Sequence, residues 1–288
     1  MKKILLASTI LVGTAGFAAA DTANFTFSGE AAAGFAYSTD GVISFSTPTI
    51  SAEFTAGMMT TTDGGLEAGA DITVSAGSRG MEADNTDTGF GLITTSAASI
   101  SDASVYLSGD WGKFTIAYDQ NAAATPADDE IDYGYSNTWG DFKVEAEYRY
   151  FVGAANDEAS LKGTYSFGDY AVYAGVNAYE AGGWSVDDID FGGSASMSGF
   201  SLGVDANYAL SPVSLLTWKA TAGYATGPYS VEVFVEDDDG LNSVDYGLSA
   251  GYDLGGGVSL NAAYIHDNDL SIINGGVDMI TAGVSMSF

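Results

Sequence analysis

Short segments of this chain repeat one pattern from residue 23 to the end: apolar and polar side chains alternate with a period of two. The last segment displays it in full. Ile280, Ala282, Val284, Met286 and Phe288 fall on one face of an extended strand, and Thr281, Gly283, Ser285 and Ser287 fall on the other. Successive side chains of a strand point to opposite faces, so each such segment has an apolar side and a wet side. One strand of this kind fits a soluble sheet. Repeated along almost the whole chain, the pattern calls for a structure with one continuous apolar face and one continuous polar face. After the first twenty residues, no stretch is apolar for the roughly 20 residues that a membrane helix needs. The expectation is an all-β fold: a transmembrane, antiparallel, up-and-down β-barrel with lipid outside and water inside.

Sixteen segments qualify, at about 23–37, 49–61, 66–77, 98–108, 112–120, 130–137, 142–151, 159–167, 170–179, 188–197, 200–209, 215–224, 229–238, 243–252, 258–266 and 277–288. An even number brings both termini to one end of the barrel. Tight links rich in Gly and Asp fall at 62–65, 109–112, 138–141, 168–169, 198–199, 225–228 and 253–257. They supply the positive φ and local side-chain hydrogen bonds of hairpin turns. Alternating with them are polar links, mostly longer, at 38–48, 78–97, 121–129, 152–158, 180–187, 210–214, 239–242 and 267–276. Outer-membrane barrels sort their connections in this way, with short turns in the periplasm and long loops outside. Aromatic residues follow the same sorting. Trp111, Phe114, Trp139, Phe142, Phe167, Tyr170, Phe200, Tyr229, Tyr252 and Phe288 stand beside the tight turns, and Tyr118, Tyr133, Tyr150, Tyr208 and Tyr264 at the opposite ends. These are two interfacial belts. Tyr179 has the wrong parity for its belt and requires either a bulge or an inward ring.

The segment 142–151 separates inside from outside most clearly: Phe142, Val144, Ala146, Tyr148 and Tyr150 form an apolar face, and Lys143, Glu145, Glu147 and Arg149 a charged one. Four charges in a row cannot be buried dry, but beside a water-filled channel they keep their hydration and pair across strands. The same parity sends Lys113, Asp119, Asp132, Lys162, Lys219, Glu232 and Glu236 inward, with Glu30, Glu53, Glu67, Asp71, Asp190, Asp205 and Asp245. Carboxylates outnumber cations on this face, which predicts a preference for cations. On the outward face, Ala31, Ala33, Ala52, Ala56, Ala68 and Ala70 leave a surface of low relief suited to a subunit contact.

The first residues indicate export. Lys2 and Lys3, an apolar run from Ile4 to Phe17 and Ala18-Ala19-Ala20 before Asp21 have the form of a secretory signal peptide over 1–20, followed by one barrel domain over 21–288. Without that segment the chain keeps 38 acidic against 6 basic side chains, a formal charge of −32. Such a chain repels nucleic acid. It has no cysteine, so disulfides and thiolate chemistry are excluded.

Several motifs resemble the Gram-negative general porins of the alphaproteobacterial type. They are Phe27-Ser-Gly-Glu30, Leu107-Ser-Gly-Asp-Trp-Gly-Lys-Phe114, Gly251-Tyr-Asp-Leu-Gly-Gly-Gly257, Asp267-Asn-Asp-Leu270 and the terminal Phe288. The resemblance implies a homotrimeric sixteen-stranded barrel in the outer membrane that passes small hydrophilic solutes and ions. It also implies that the third extracellular loop folds inward, with acidic residues facing an arginine cluster. Here the chain departs from the pattern. The link at 121–129 is short, and Arg79 and Arg149 are the only arginines. Asp128, Asp129 and Glu130 are the nearest match to the acidic group of that loop and are expected to face the pore; with the link so short, either 78–97 folds inward instead, or the pore is wide.

Two further chemistries are weighed. Glu82, Asp84 and Asp87, with Asn85 among them, offer hard oxygen ligands for weak calcium binding at an outer loop, as do the acidic groups 237–239 and Asp267 with Asp269. His266 is the only histidine and no Gly-x-Ser-x-Gly elbow exists, so a solvated loop histidine is expected and an enzyme is not. The function expected is passive diffusion through an outer-membrane pore. The alternative is a structural or adhesin-type barrel without an open channel.

Overall fold

The computed structural model describes residues 24–42, 44–77, 96–119, 130–151, 156–180, 182–210, 214–238, 244–268 and 276–288, apart from the side chains of 96–99 and 119. The segment expected to be a signal peptide lies outside them. Sixteen strands are present: β1 Asn24–Thr39, β2 Ser44–Thr61, β3 Glu67–Gly77, β4 Ser96–Gly109, β5 Gly112–Asp119, β6 Glu130–Trp139, β7 Phe142–Phe151, β8 Glu158–Phe167, β9 Tyr170–Glu180, β10 Trp184–Met197, β11 Phe200–Ala209, β12 Leu215–Thr226, β13 Tyr229–Asp237, β14 Asp245–Gly255, β15 Val258–Asp267 and β16 Val277–Ser287. Each pairs antiparallel with its sequence neighbours, and β1 pairs with β16, so the sheet closes into a barrel. Closure leaves no unpaired edge, which satisfies backbone groups in lipid.

The C-terminal residue helps to seal the seam. Phe288 exchanges two backbone hydrogen bonds with Gly29, each 3.0 Å, and its ring occupies the space where a side chain on Gly29 would stand.

The tight turns are as short as expected; at 198–199, for instance, Ser198 (φ 53°) and Gly199 (φ 85°) form a two-residue loop with positive φ at both positions. Two connections differ most from expectation. The link placed at 38–48 shrinks to residues 40–43, and that at 180–187 to 181–183, because β2 and β10 begin earlier. Pro48 made the start of β2 illegible, since proline is rare inside a sheet. Here it is tolerated for a local reason. Pro48 pairs with Phe35 of β1, but the pairing of β2 with β3 begins only at Ser51. Proline therefore sits where β2 has one neighbour among the described residues.

Side chains alternate between lipid and lumen around the whole barrel. Phe142, Leu161, Val172, Phe191, Leu202, Val231 and Leu260 are exposed apolar side chains of the outer face. The alanines of β1–β3 share that face, but Phe27 and Phe54 stack between them at 5.8 Å, so its relief alternates rather than being uniformly low.

Candidate functional site

Among the described residues the lumen concentrates charge, and β7 organises the densest part. Lys143 Nζ meets Glu145 Oε1 at 2.5 Å on the same strand. Arg149 has Asp132 of β6 and Glu158 of β8 as direct cross-strand partners. Its guanidinium lies 3.3 Å from Asp132, 3.5 Å from Glu130, 2.9 Å from Glu147 and 3.0 Å from Glu158. A guanidinium presents five donors in a planar fork, which is how one cation serves several carboxylates. The cluster remains net negative. With Ser160, Asn177 and Tyr179, three of its members line a recess of about 200 Å³ in the wall.

Three lysines share a different device. Tyr106, Tyr173 and Phe234 face the lumen directly opposite Gly69, Gly192 and Gly247, and each ring lies across its glycine. On the other side, each ring is paired with a threonine: Thr115, Thr164 and Thr221. Two residues before each threonine is a lysine whose ammonium reaches the ring: Lys113 at 3.9 Å, Lys162 at 4.0 Å and Lys219 at 4.9 Å from the centroid. A carboxylate completes each of the three groups. Tyr106 donates to Glu67 at 3.1 Å and Tyr173 to Asp205 at 2.5 Å, while Lys219 pairs with buried Glu236 at 3.5 Å. A Lys-x-Thr on one strand thus docks on an aromatic of the next, and the glycine beyond makes room for the ring.

On β10, Asp188 and Asp190 lie between two amides. Asn177 of β9 donates to Asp188 and to Asp190 (2.6 Å), and Asn207 of β11 donates to Asp188 (3.0 Å) and Asp190 (2.8 Å). Neutral donors satisfy the lone pairs without cancelling the charges. A register shift between Val186 and Asp188 borders this arrangement.

A family model described as Gram-negative porin matches residues 7–134 and 116–270. The chain belongs to the Gram-negative porin family. Its fold agrees with solved porins over nearly the full length. A triple mutant of Rhodopseudomonas blastica porin is 15% identical with a TM-score of 0.68, covering 92% of this chain and 100% of that one. A porin refined at 1.8 Å resolution is 21% identical with a TM-score of 0.65 over 92% and 100% of the two chains. An anion-selective porin from Comamonas acidovorans is 15% identical with a TM-score of 0.65 over 93% and 100%. No curated protein sequence matches. The family and the sixteen-stranded barrel make this an integral outer-membrane porin channel; the family is one of channels, not of enzymes.

The porin's register places Lys113, Glu130, Asp132, Lys143, Glu145, Glu147, Arg149, Lys162, Lys219, Glu232 and Glu236 on the luminal face. Asp119 takes a luminal register position opposite Glu130. Asp128 and Asp129, and the calcium ligands expected at Glu82, Asp84 and Asp87, lie outside the described residues. Among those described, no group of three acidic or histidine side chains is gathered as a metal site. Glu158, the first residue of β8, and Asp188, inside β10, are luminal partners that the sequence left unnamed; the spacing Lys-x-Thr was the available signal for the aromatic platforms. Tyr179 faces inward, opposite Glu158.

His266 corrects an expectation. It is not a solvated loop residue but lies in β15 on the outer face, its side chain 19% exposed. It stacks on Tyr246 with centroids 5.0 Å apart, and Nδ1 is 2.8 Å from Asp278 Oδ1. Asp278, on β16, was the partner missed, because pairing between strands is invisible along one of them. Nε2 meets Asn268 Oδ1 at 3.3 Å, where a nucleophilic hydroxyl would have to stand.

Proposed function

We propose that this porin is a passive diffusion channel for small hydrophilic solutes and ions, that it prefers cations, and that it works as a homotrimer. One observation carries the cation preference: each luminal cation among the described residues is engaged by a carboxylate or an aromatic ring, while carboxylates outnumber them around the wall. Uncompensated negative charge on a low-dielectric wall raises the local concentration of cations, and salt weakens the effect as the Debye length falls from about 10 Å at 0.1 M. The fold does not set the sign, since one solved porin of the same shape is described as anion-selective; the lining does. Zero-current potentials of single channels in a potassium chloride gradient test the proposal. Potassium should pass more readily than chloride, most strongly at low salt. A chloride-selective channel would refute the preference, and a protein giving no steady conductance would favour a closed structural barrel.

A further inference from the structure

Among the described residues, charge compensation is confined to one side of the wall. The five cationic side chains described lie on β5, β7, β8 and β12. From β13 through β16 and onward through β1 to β4, an unbroken arc because β1 pairs with β16, no described residue is Lys or Arg. In the middle of that arc Glu30 of β1 and Glu53 of β2 are direct cross-strand partners, both exposed to the lumen. Their neighbours in the same row are Ser287 and Ser75. Neither carboxylate makes a hydrogen bond or an ion pair among the described residues. Like charges directly opposite each other destabilise a sheet, and the fold does not require them. The adjacent luminal rows are Ser28 with Thr55 and Ala32 with Ser51.

The pair also continues into a file. Below Ser75, Asp71 and then Glu67 follow on β3 towards the periplasmic turn, each four residues or about 13 Å further on. Glu67 is hydrogen-bonded by the hydroxyls of Tyr106 and Ser108, which leave its charge intact. On β7 the situation is reversed. Glu145 and Glu147, the two acids that parity alone singles out most clearly, are bound to Lys143 and Arg149. A paired carboxylate offers a permeating ion the field of a dipole, which falls off faster than that of a charge.

We infer that Glu30 and Glu53 determine the ion selectivity of this porin, as an uncompensated carboxylate pair that draws cations along the β1–β3 side of the lumen. The inference rests on the cation preference proposed above. It requires no fixed ligand geometry, because the ion keeps its water.

Zero-current potentials of wild type, Glu30→Gln/Glu53→Gln and Glu145→Gln/Glu147→Gln, in the same low-salt potassium chloride gradient, separate the possibilities. Both double variants remove two formal charges, so a lumen that sums its charges indifferently would lose selectivity equally in both. The inference predicts that the β1–β2 variant lowers the potassium-to-chloride permeability ratio about two-fold or more. The β7 variant should change it by clearly less, because its charges stand five strands away from Glu53 around the wall, off the β1–β3 path, even though Lys143 loses its partner. Relieving the like-charge contact should leave the β1–β2 barrel at least as heat-stable as wild type, and Glu30→Gln and Glu53→Gln alone should each give an intermediate ratio. Equal losses in the two double variants, or a larger loss on β7, overturn the inference. A chloride-selective wild type would overturn the underlying preference too, whereas a potassium-selective wild type unaffected by Glu30→Gln/Glu53→Gln defeats the inference alone.

Discussion

The ring of Tyr106 lies across Gly69, its direct cross-strand partner, so closely that a Cβ built on the glycine would stand 2.3 Å from the ring. The contact fixes the ring over the wall, where its hydroxyl reaches Glu67 and its face meets Lys113. Gly69→Ala is therefore expected to push the ring into the lumen and to destabilise the barrel by about 1–3 kcal/mol, the usual cost of overpacking. Gly134 supplies the control. A Cβ there would meet only Thr115, at 3.9 Å. Urea unfolding followed by tryptophan fluorescence should show a lower midpoint for Gly69→Ala and none of that loss for Gly134→Ala.

Arg149 supports a different prediction. Its guanidinium holds together carboxylates from β6, β7 and β8 while one-third of the side chain remains exposed, at 34%. Replacing it with Met leaves four acids facing one another. Because water reaches the cluster, the cost should fall between an exposed pair and a buried one, about 1–3 kcal/mol. The loss should shrink as salt screens the repulsion. Thermal midpoints of wild type and Arg149→Met at low and high salt would check this; a difference independent of salt would mean that packing, not charge, is what Arg149 supplies.

The barrel itself was legible because its cause is local. A period of two survives in each strand, and Phe142 to Tyr150 show it without help from any neighbour. The parity of the charged wall was legible for the same reason. What was hidden depends on register. Arg149 and Glu158 are opposite each other only because β7 and β8 pair in one particular alignment, and His266 meets Asp278 only through the pairing of β15 with β16. Pro48 misled in another way, since its cost in a strand depends on whether the next strand reaches it. Glu30 and Glu53 could be assigned to the lumen from sequence, but their direct opposition, and the arc around them with no Lys or Arg among the described residues, emerge only from strand order.

The proposed assembly draws on the outer face of the first strands. Ala31 and Ala52 are cross-strand partners there, and Ala33, Ala56, Ala68 and Ala70 extend the small-residue surface between exposed Phe25, Phe27, Phe35 and Phe54. Alternating knobs and hollows suit close packing of one barrel against another. Native mass spectrometry in mild detergent should give a trimer, and Ala31→Trp/Ala52→Trp should shift it toward monomer while keeping the barrel folded. A wild type that is wholly monomeric under the same conditions would refute the proposed assembly.

His266 is the remaining group with the composition of a catalytic base, and its surroundings argue for a structural role. Asp278 orients the ring through Nδ1, as an acid does in a hydrolytic triad, and Tyr264 donates to the same carboxylate oxygen at 2.7 Å. The other nitrogen decides the matter. Nε2 points to Asn268 Oδ1, an acceptor with no proton to give and no nucleophilic oxygen to activate, and one ring face is covered by Tyr246. The group instead joins β14, β15 and β16 through their outward side chains. His266→Ala should therefore leave single-channel conductance unchanged and lower the thermal midpoint modestly, by about 1 kcal/mol of lost stacking and hydrogen bonding. Phospholipid incubated with the wild-type porin should release no fatty acid. Release that disappears in His266→Ala, with the barrel still folded and conducting, would show that the histidine carries out chemistry after all.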